Sequence, residues 1–342
     1  MKMEDIAKLA GVSKSAVSLT LNNKPGIGAE TREKILRVVE EHGYVHKARG
    51  QHEEQAVRTL TFLAFANSGI VLEDYYEQPF FREIIQYIEE RCRSNGYSLL
   101  FATVDPSRML EHIEEISEEQ RSDGIILLGT NLDHAQVRAM IEHLTTPLVV
   151  LDNCYETLPV SFVSINNVMG AYQAGMHLCS LGHRHIGYLA SNVPLHNFHE
   201  RRKGFLHALQ MNDLSLEVTF NVAPTILSSQ ESLKKLLSEY LKQGNAMPTA
   251  FFCECDYIAI SAIKTLSELG YRIPEDISIV GFDNITEAQI ITPQLTTVHV
   301  EKQRLAHLAV DTLVQTILSP QQAKTKVVVD TQFITRSSTR AI

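Results

Sequence analysis

No run of about 18 apolar residues occurs in the chain, so no segment is expected to span a membrane. Residues 1–10 lack the basic region, apolar stretch and small-residue cleavage site of a secretory signal, and carry Glu4 and Asp5 instead. A cytoplasmic protein is expected. Cysteine is scarce. Cys92, Cys154, Cys179, Cys253 and Cys255 make no even framework and are expected as free thiols in a reducing compartment. Cys253-x-Cys255 has no second pair at finger spacing, so a closed zinc site is not expected. The segment CECD reads as strand, with buried thiols. G-x-G-x-x-G, G-x-x-x-x-G-K-[ST] and G-x-S-x-G are all absent. Dinucleotide, ATP and serine-hydrolase chemistry therefore lack support, and neither a cofactor nor an enzymatic activity is expected.

What is present is a chain of 342 residues, 44% apolar, enough for two or three domains with real cores. Its net charge of −9 is unevenly spread. Residues 1–50 carry nine Lys/Arg against six Asp/Glu, and the remainder 22 against 34. Phosphate neutralisation needs local positive charge, not a basic whole protein. A mildly basic end on an acidic body is compatible with a small nucleic-acid reader joined to something else.

In the first sixty residues Ile6, Leu9 and Ala10 share a helical face, with Glu4 and Asp5 in the favourable first turn and Gly11 as the stop. Ser13 suits the N-cap of a second helix, about 14–22, whose Val17 and Leu21 lie four apart. The short turn sets the two helices at a steep angle, the helix-turn-helix arrangement. Pro25, Gly26 and Gly28 mark a loop. A third helix follows over about 29–42, with Ile35, Val38 and Val39 inward and Gly43 as its stop. On periodicity alone, any three-helix mini-domain fits equally well.

From Leu60 the texture changes to apolar strand followed by amphipathic helix, repeatedly. Strands are expected at 60–66, 98–104, 123–129 and 147–152, and helices at 80–97, 107–121 and about 134–144. The pattern then repeats. Strands at 162–166, 185–191, 249–256 and 276–284 alternate with helices at 168–181, 200–214 and 257–269. The segment 292–300 bridges back, a helix follows at about 301–318, and 327–339 closes the chain. Near-continuous apolar strands between helices mean parallel sheets covered on both faces, here two Rossmann-like lobes.

The stretch GVSKSAVSLTLNNKPGIGAETREKILRVVEEHGY, with DIAKLA before it, resembles the headpiece of the lactose-repressor (LacI/GalR) family of bacterial regulators. The likeness continues through QPFFREIIQYIEE, LGHRHIGYL, ERRKGF, PEDISIVGFDN, TPQLTTV and ITRSST. It implies an α/β body of periplasmic-binding-protein type behind an all-α headpiece. The expected domains are a headpiece and linker over 1–58, an N-terminal lobe over 59–163 plus 292–322, and a C-terminal lobe over 164–291 plus 323–342. The resemblance also implies a homodimer that binds operator DNA and is tuned allosterically by a small-molecule effector, a sugar or related metabolite.

Position by position, the family's second helix lies in the DNA major groove, so Lys14 and Ser15 would face base edges. Leu19 stands where the family often has Arg; it cannot donate, but can meet a thymine methyl. Ser13, Ser18, Asn22 and Thr31 would bind phosphates, which set register. The linker departs from the pattern: Gly50 lies inside the expected hinge helix, and Glu53, followed by Glu54, stands where a Leu would wedge the minor groove. Weak or absent bending of the duplex is expected.

In such bodies ligands bind beyond the carboxyl ends of the strands, between the lobes. Asn67, Asp152, Arg201, Asp256 and Asp283 fall there, with Phe80 as a stacking face, a set suited to a neutral polyol. Cys255 replaces a family Asn and removes one amide from that set. Asn166 and Asn167 are expected to cap the following helix.

Overall fold

The computed structural model describes residues 2–21, 24–42, 58–66, 70–71, 75–109, 111–113, 115, 122–226 and 228–342. The chain divides into two units, Met1–Val57 and Arg58–Ile342. The linker with Gly50, Glu53 and Glu54, the stop at Gly43, and the candidate residues Asn22 and Asn67 lie outside the described residues, as does part of the helix expected at 107–121.

Among the described residues the first unit is three helices, α1 (Met3–Ala10), α2 (Lys14–Leu21) and α3 (Ala29–Glu41). Gly11 takes φ +61°, a left-handed conformation that glycine adopts at no steric cost, and Val12 N bonds back to Ala7 O at 3.0 Å. Ser13 Oγ accepts from Ala16 N at 3.2 Å, the expected cap of α2. The core is Ile6, Ala7, Ala10, Ala16, Val17 and Ile35, with Leu21, Val38 and Val39 packed at its edge. Leu9 is a correction. The sequence groups it with Ile6 and Ala10 on one helical face, but it is 53% exposed, because the buried stripe of α1 runs 6, 7 and 10.

In the second unit, the N-terminal lobe holds a six-stranded parallel sheet in the order β11-β5-β4-β3-β1-β2. Its strands are β1 (Thr59–Phe65), β2 (Ser98–Val104), β3 (Gly124–Leu128), β4 (Leu148–Leu151), β5 (Ser161–Ile165) and β11 (Lys326–Val329). Alternation supplies both faces: β1 sends Leu60, Phe62 and Ala64 into one apolar cluster, and Leu63 and Phe65 into another. Helices α4 (Pro79–Ser94) and α5 (His134–His143) belong to this lobe.

The C-terminal lobe holds β7-β6-β8-β9, also parallel, with β6 (Ile186–Ser191), β7 (Val218–Val222), β8 (Ala250–Cys253) and β9 (Ser278–Val280). Bridges Val280–Thr296 and Asp283–His299 attach β10 (Thr297–His299), which pairs antiparallel with β12 (Gln332–Ile334). Its helices are α6 (Asn167–Ser180), α7 (His196–Gln210), α8 (Ser228–Lys242), α9 (Asp256–Glu268) and the short α10 (Glu287–Ile290); α11 (Lys302–Leu318) packs back on β3, β4 and β5.

Three expectations are corrected. The lobe boundary expected at 163/164 would cut β5, which pairs along its length with β4 and β11. The segment 292–299 stays with the C-terminal lobe through β10, and residues 326–329 belong to the N-terminal lobe as β11, the reverse of the expected assignment. Finally, β7 and α8 were not anticipated. The strand VTFNV is short, and α8 carries a regular apolar stripe, including the buried Leu233 and Leu237, a helical pattern that the reading of the sequence passed over.

Candidate functional site

On α2, Ala16, Val17 and Thr20 point into the headpiece core. Lys14, Ser15, Ser18 and Leu19 consequently share the opposite, solvent-facing arc. Lys14 and Ser15 are exposed, and Ser18, Leu19 and Thr31 half-buried. Ser13 caps the helix that carries them. Lys14 Nζ lies 2.6 Å from Glu4 Oε1 on α1, a pair that sequence reasoning missed.

The second site lies where the two sheets of the body face each other. The first turn of α7 begins at His196, not at residue 200 as expected, so Asn197 and Arg201 stand four apart on one face. Helices α6 and α7 approach closely there. A Cβ on Gly204 would collide with the backbone of Val168. That contact brings Asn167, at the start of α6, against Arg201.

A hydrogen-bonded chain then crosses between the lobes. Thr130 Oγ1 donates to Asp152 Oδ2 at 2.5 Å. Asn197 Nδ2 donates to Asp152 Oδ1 and to its carbonyl, both at 3.0 Å. Asn167 Nδ2 donates to Asn197 Oδ1 at 3.1 Å. Arg201 gives Nε to Asn167 Oδ1 at 2.9 Å, Nη1 to the Glu254 carbonyl at 2.6 Å and Nη2 to Asp283 Oδ1 at 3.0 Å. Asp152 and Asp283 have φ of +65° and +114°, left-handed positions that L residues rarely occupy and that cluster at functional sites.

A second tie joins α4 to the C-terminal lobe. Phe80 N donates to Tyr257 Oη at 3.1 Å, and Thr286 Oγ1 to Glu83 Oε1 at 3.2 Å. Buried Lys302 sits 3.3 Å from Glu83 Oε2 and donates to the carbonyls of Asp283 and Asn284, both at 3.2 Å.

The electrostatics are dominated by buried carboxylates. Burial pushes the Asp152 carboxyl up to about 6, against the pull of Thr130 and Arg201. Burial raises Glu254 to about 7, although Ser191 N bonds to it. Asp256 rises to about 8, through burial and then the Asp283 charge. Asp283 is raised by burial and held back by Arg201 and Lys302.

Phe80, Asp152, Arg201 and Asp283 border one cavity, and Thr130, Asn197, Phe198 and Tyr257 join them. Its volume is about 30 Å³. Small-molecule pockets commonly span roughly 300–1,000 Å³. Asp256 is the exception. It does not border this cavity; its Oδ2 accepts from Ile285 N at 2.9 Å and its Oδ1 from Thr297 Oγ1 at 2.6 Å, so it braces the turn that carries Asp283. Cys253 and Cys255 are buried, as expected of CECD. Asn166 caps α6 through Met169 N at 3.1 Å, as expected, whereas Asn167 belongs to the chain between the lobes. The i, i+4 spacing of Asn197 and Arg201 was visible in the sequence, but only once the helix start was known.

A family model described as bacterial regulatory proteins, lacI family, matches residues 2–47, and one described as a periplasmic binding protein-like domain matches 176–339. A ribose operon repressor of Haemophilus influenzae is 30% identical over 345 residues, covering 98% of each chain. An HTH-type transcriptional repressor PurR of Mannheimia succiniciproducens is 28% identical over 345 residues, covering 99% of each. Among solved structures, the lac repressor dimer bound to operator and the anti-inducer ONPF superposes with a TM-score of 0.72 at 23% identity, covering 100% of this chain and 99% of that one. A complex of the transcriptional regulator CelR with cellobiose gives 0.72 at 24% identity, covering 99% of each. The structural likenesses bear on the fold.

Proposed function

Because the chain belongs to the lacI family of bacterial regulatory proteins, we propose that it is a homodimeric transcriptional repressor whose hold on a near-palindromic operator is set by a sugar or close derivative taken up between its lobes. Two copies of α2 enter successive major grooves at half-sites about one helical turn apart. Lys14 and Ser15 meet base edges, Leu19 a thymine methyl, and Ser13, Ser18, Asn22 and Thr31 phosphates. Such a protein works in the cytoplasm, on the nucleoid.

The observation that carries the effector reading is the chain Thr130–Asp152–Asn197–Asn167–Arg201–Asp283, which spans both lobes. Carboxylates, amides and one guanidinium are the groups that hold a polyol, and aromatic rings line the same wall. A sugar needs more room than the present gap, so the lobes part to admit it and reform their contacts around it. Binding one lobe arrangement better than the other shifts operator affinity by that difference. For the homodimer, exposed Leu100 and Phe101 on edge strand β2, and the apolar groove at Ile260, Ile263 and Ile291, are suitable faces.

A second reading is favoured by the four rings of the wall, Phe80, Phe81, Phe198 and Tyr257: a planar nitrogen heterocycle stacked among them. A thermal-shift screen of the full chain against sugars, sugar phosphates and nucleobases separates the two. A shift with sugars supports the first reading. A shift with nucleobases alone replaces it with the second.

A further inference from the structure

Glu4 is the second residue of α1 and Lys14 the first of α2, so their 2.6 Å contact spans the turn at Gly11. Both side chains are about 60% exposed, and an exposed pair adds little to stability. Its consequence is more promising in recognition. The neighbouring Asp5 is engaged elsewhere, accepting from Lys2 N at 2.8 Å. The hydrogen bond from Lys14, and then its charge, hold the Glu4 carboxyl below the usual range, so the carboxylate is ionised at neutral pH.

An ammonium on a flexible stem is a point charge with three donors, as ready for phosphate as for a base. Guanine offers two neighbouring acceptors in the major groove, O6 and N7. With one N–H committed to Glu4, Lys14 keeps two donors, the number guanine accepts. A carboxylate also repels phosphate, which disfavours registers that lay the pair over the backbone.

We propose that Glu4 is a positioning residue for base recognition, holding the Lys14 ammonium so that its two remaining donors face guanine and turning it away from phosphates. This rests on the reading of α2 as the groove helix, and the experiment separates the two.

The full-length chain selects duplexes from a randomised library. The base pair under Lys14 is the one whose preference Lys14→Ala loses. Wild type, Glu4→Ala, Glu4→Gln and Glu4→Ala/Lys14→Ala are then titrated against the selected duplex, the same duplex changed at that pair, and an unrelated duplex, between about 50 and 200 mM salt. Thermal unfolding checks that each variant folds. Glu4→Ala should bind unrelated DNA roughly 3–10-fold more tightly with a steeper salt dependence, and lose about tenfold of its discrimination at that pair. Glu4→Gln, which keeps an acceptor for Lys14, should retain most of the discrimination. Glu4→Ala should change nothing at that pair once Lys14 is absent. Undiminished discrimination in Glu4→Ala, or the same loss without Lys14, overturns the role of Glu4 while leaving α2 as the reader. No selected duplex, or no preference lost in Lys14→Ala, removes both.

Discussion

Arg201 Nη2 and Asp283 Oδ1 stand 3.0 Å apart with both side chains almost wholly out of solvent, and the Phe282 ring lies 3.7 Å beneath the guanidinium carbon. Two of the residues expected from sequence to face an effector therefore bind each other. Breaking a buried pair leaves the surviving charge unpaired, which costs more than the pair itself contributes.

Arg201→Ala should accordingly do two things. Unfolding of the body should show a loss of about 3–5 kcal/mol, and effector should no longer change operator affinity, while the folded variant still binds operator. Denaturant titration and binding assays with and without effector check both. An intact effector response would remove Arg201 from the site.

Asn197 bonds directly across to the other lobe: Nδ2 donates to Asp152, and Oδ1 accepts from Asn167 on its own side. Asn197→Ala removes a donor from Asp152, which keeps Thr130, and an acceptor from Asn167, which keeps Arg201 Nε and the Ile165 carbonyl. The expected cost is about 1–3 kcal/mol, together with a weaker thermal shift on adding effector. If stability fell but the effector shift stayed whole, Asn197 would be a structural tie only.

Asp256 gives a pH-dependent expectation. Its folded-state pKa of about 8 lies above the ordinary 3.8, so between those values the folded protein binds the extra proton. Stability from this group is therefore fully present below about pH 4 and is lost as pH rises through about 8. Asp256→Asn can keep both contacts if the Thr297 hydroxyl turns to accept, and it cannot ionise. The melting temperature of wild type minus that of Asp256→Asn should fall steadily from pH 5 to 9. A flat difference would mean that the carboxyl is already ionised in the folded state.

The sequence was most legible where local patterns decide the outcome. Gly11, the Ser13 cap and the apolar strands β1, β3 and β4 all lie where periodicity and turn chemistry put them. Legibility failed where distant parts of the chain decide. No local pattern reveals that 326–329 adds an edge strand to β5, because that pairing joins segments some 160 residues apart. Asp256 looked like a ligand residue from its place after a strand. What commits it is Thr297 and the Ile285 amide, brought in by a later turn. Asn197 was missed because α7 starts a turn before its obvious charged motif. Glu4 and Lys14 are ten residues apart, and only the steep turn between α1 and α2 joins them.

The most direct measurement compares wild type and Lys14→Ala on a duplex selected by the full-length chain and on its scrambled counterpart, at one fixed salt concentration. Wild type should prefer the selected duplex by roughly 10³-fold or more, and Lys14→Ala should lose about 1–3 kcal/mol of that preference while holding scrambled DNA nearly as well. Equal affinity of the wild type for both duplexes would contradict the account of α2 as a reader of bases.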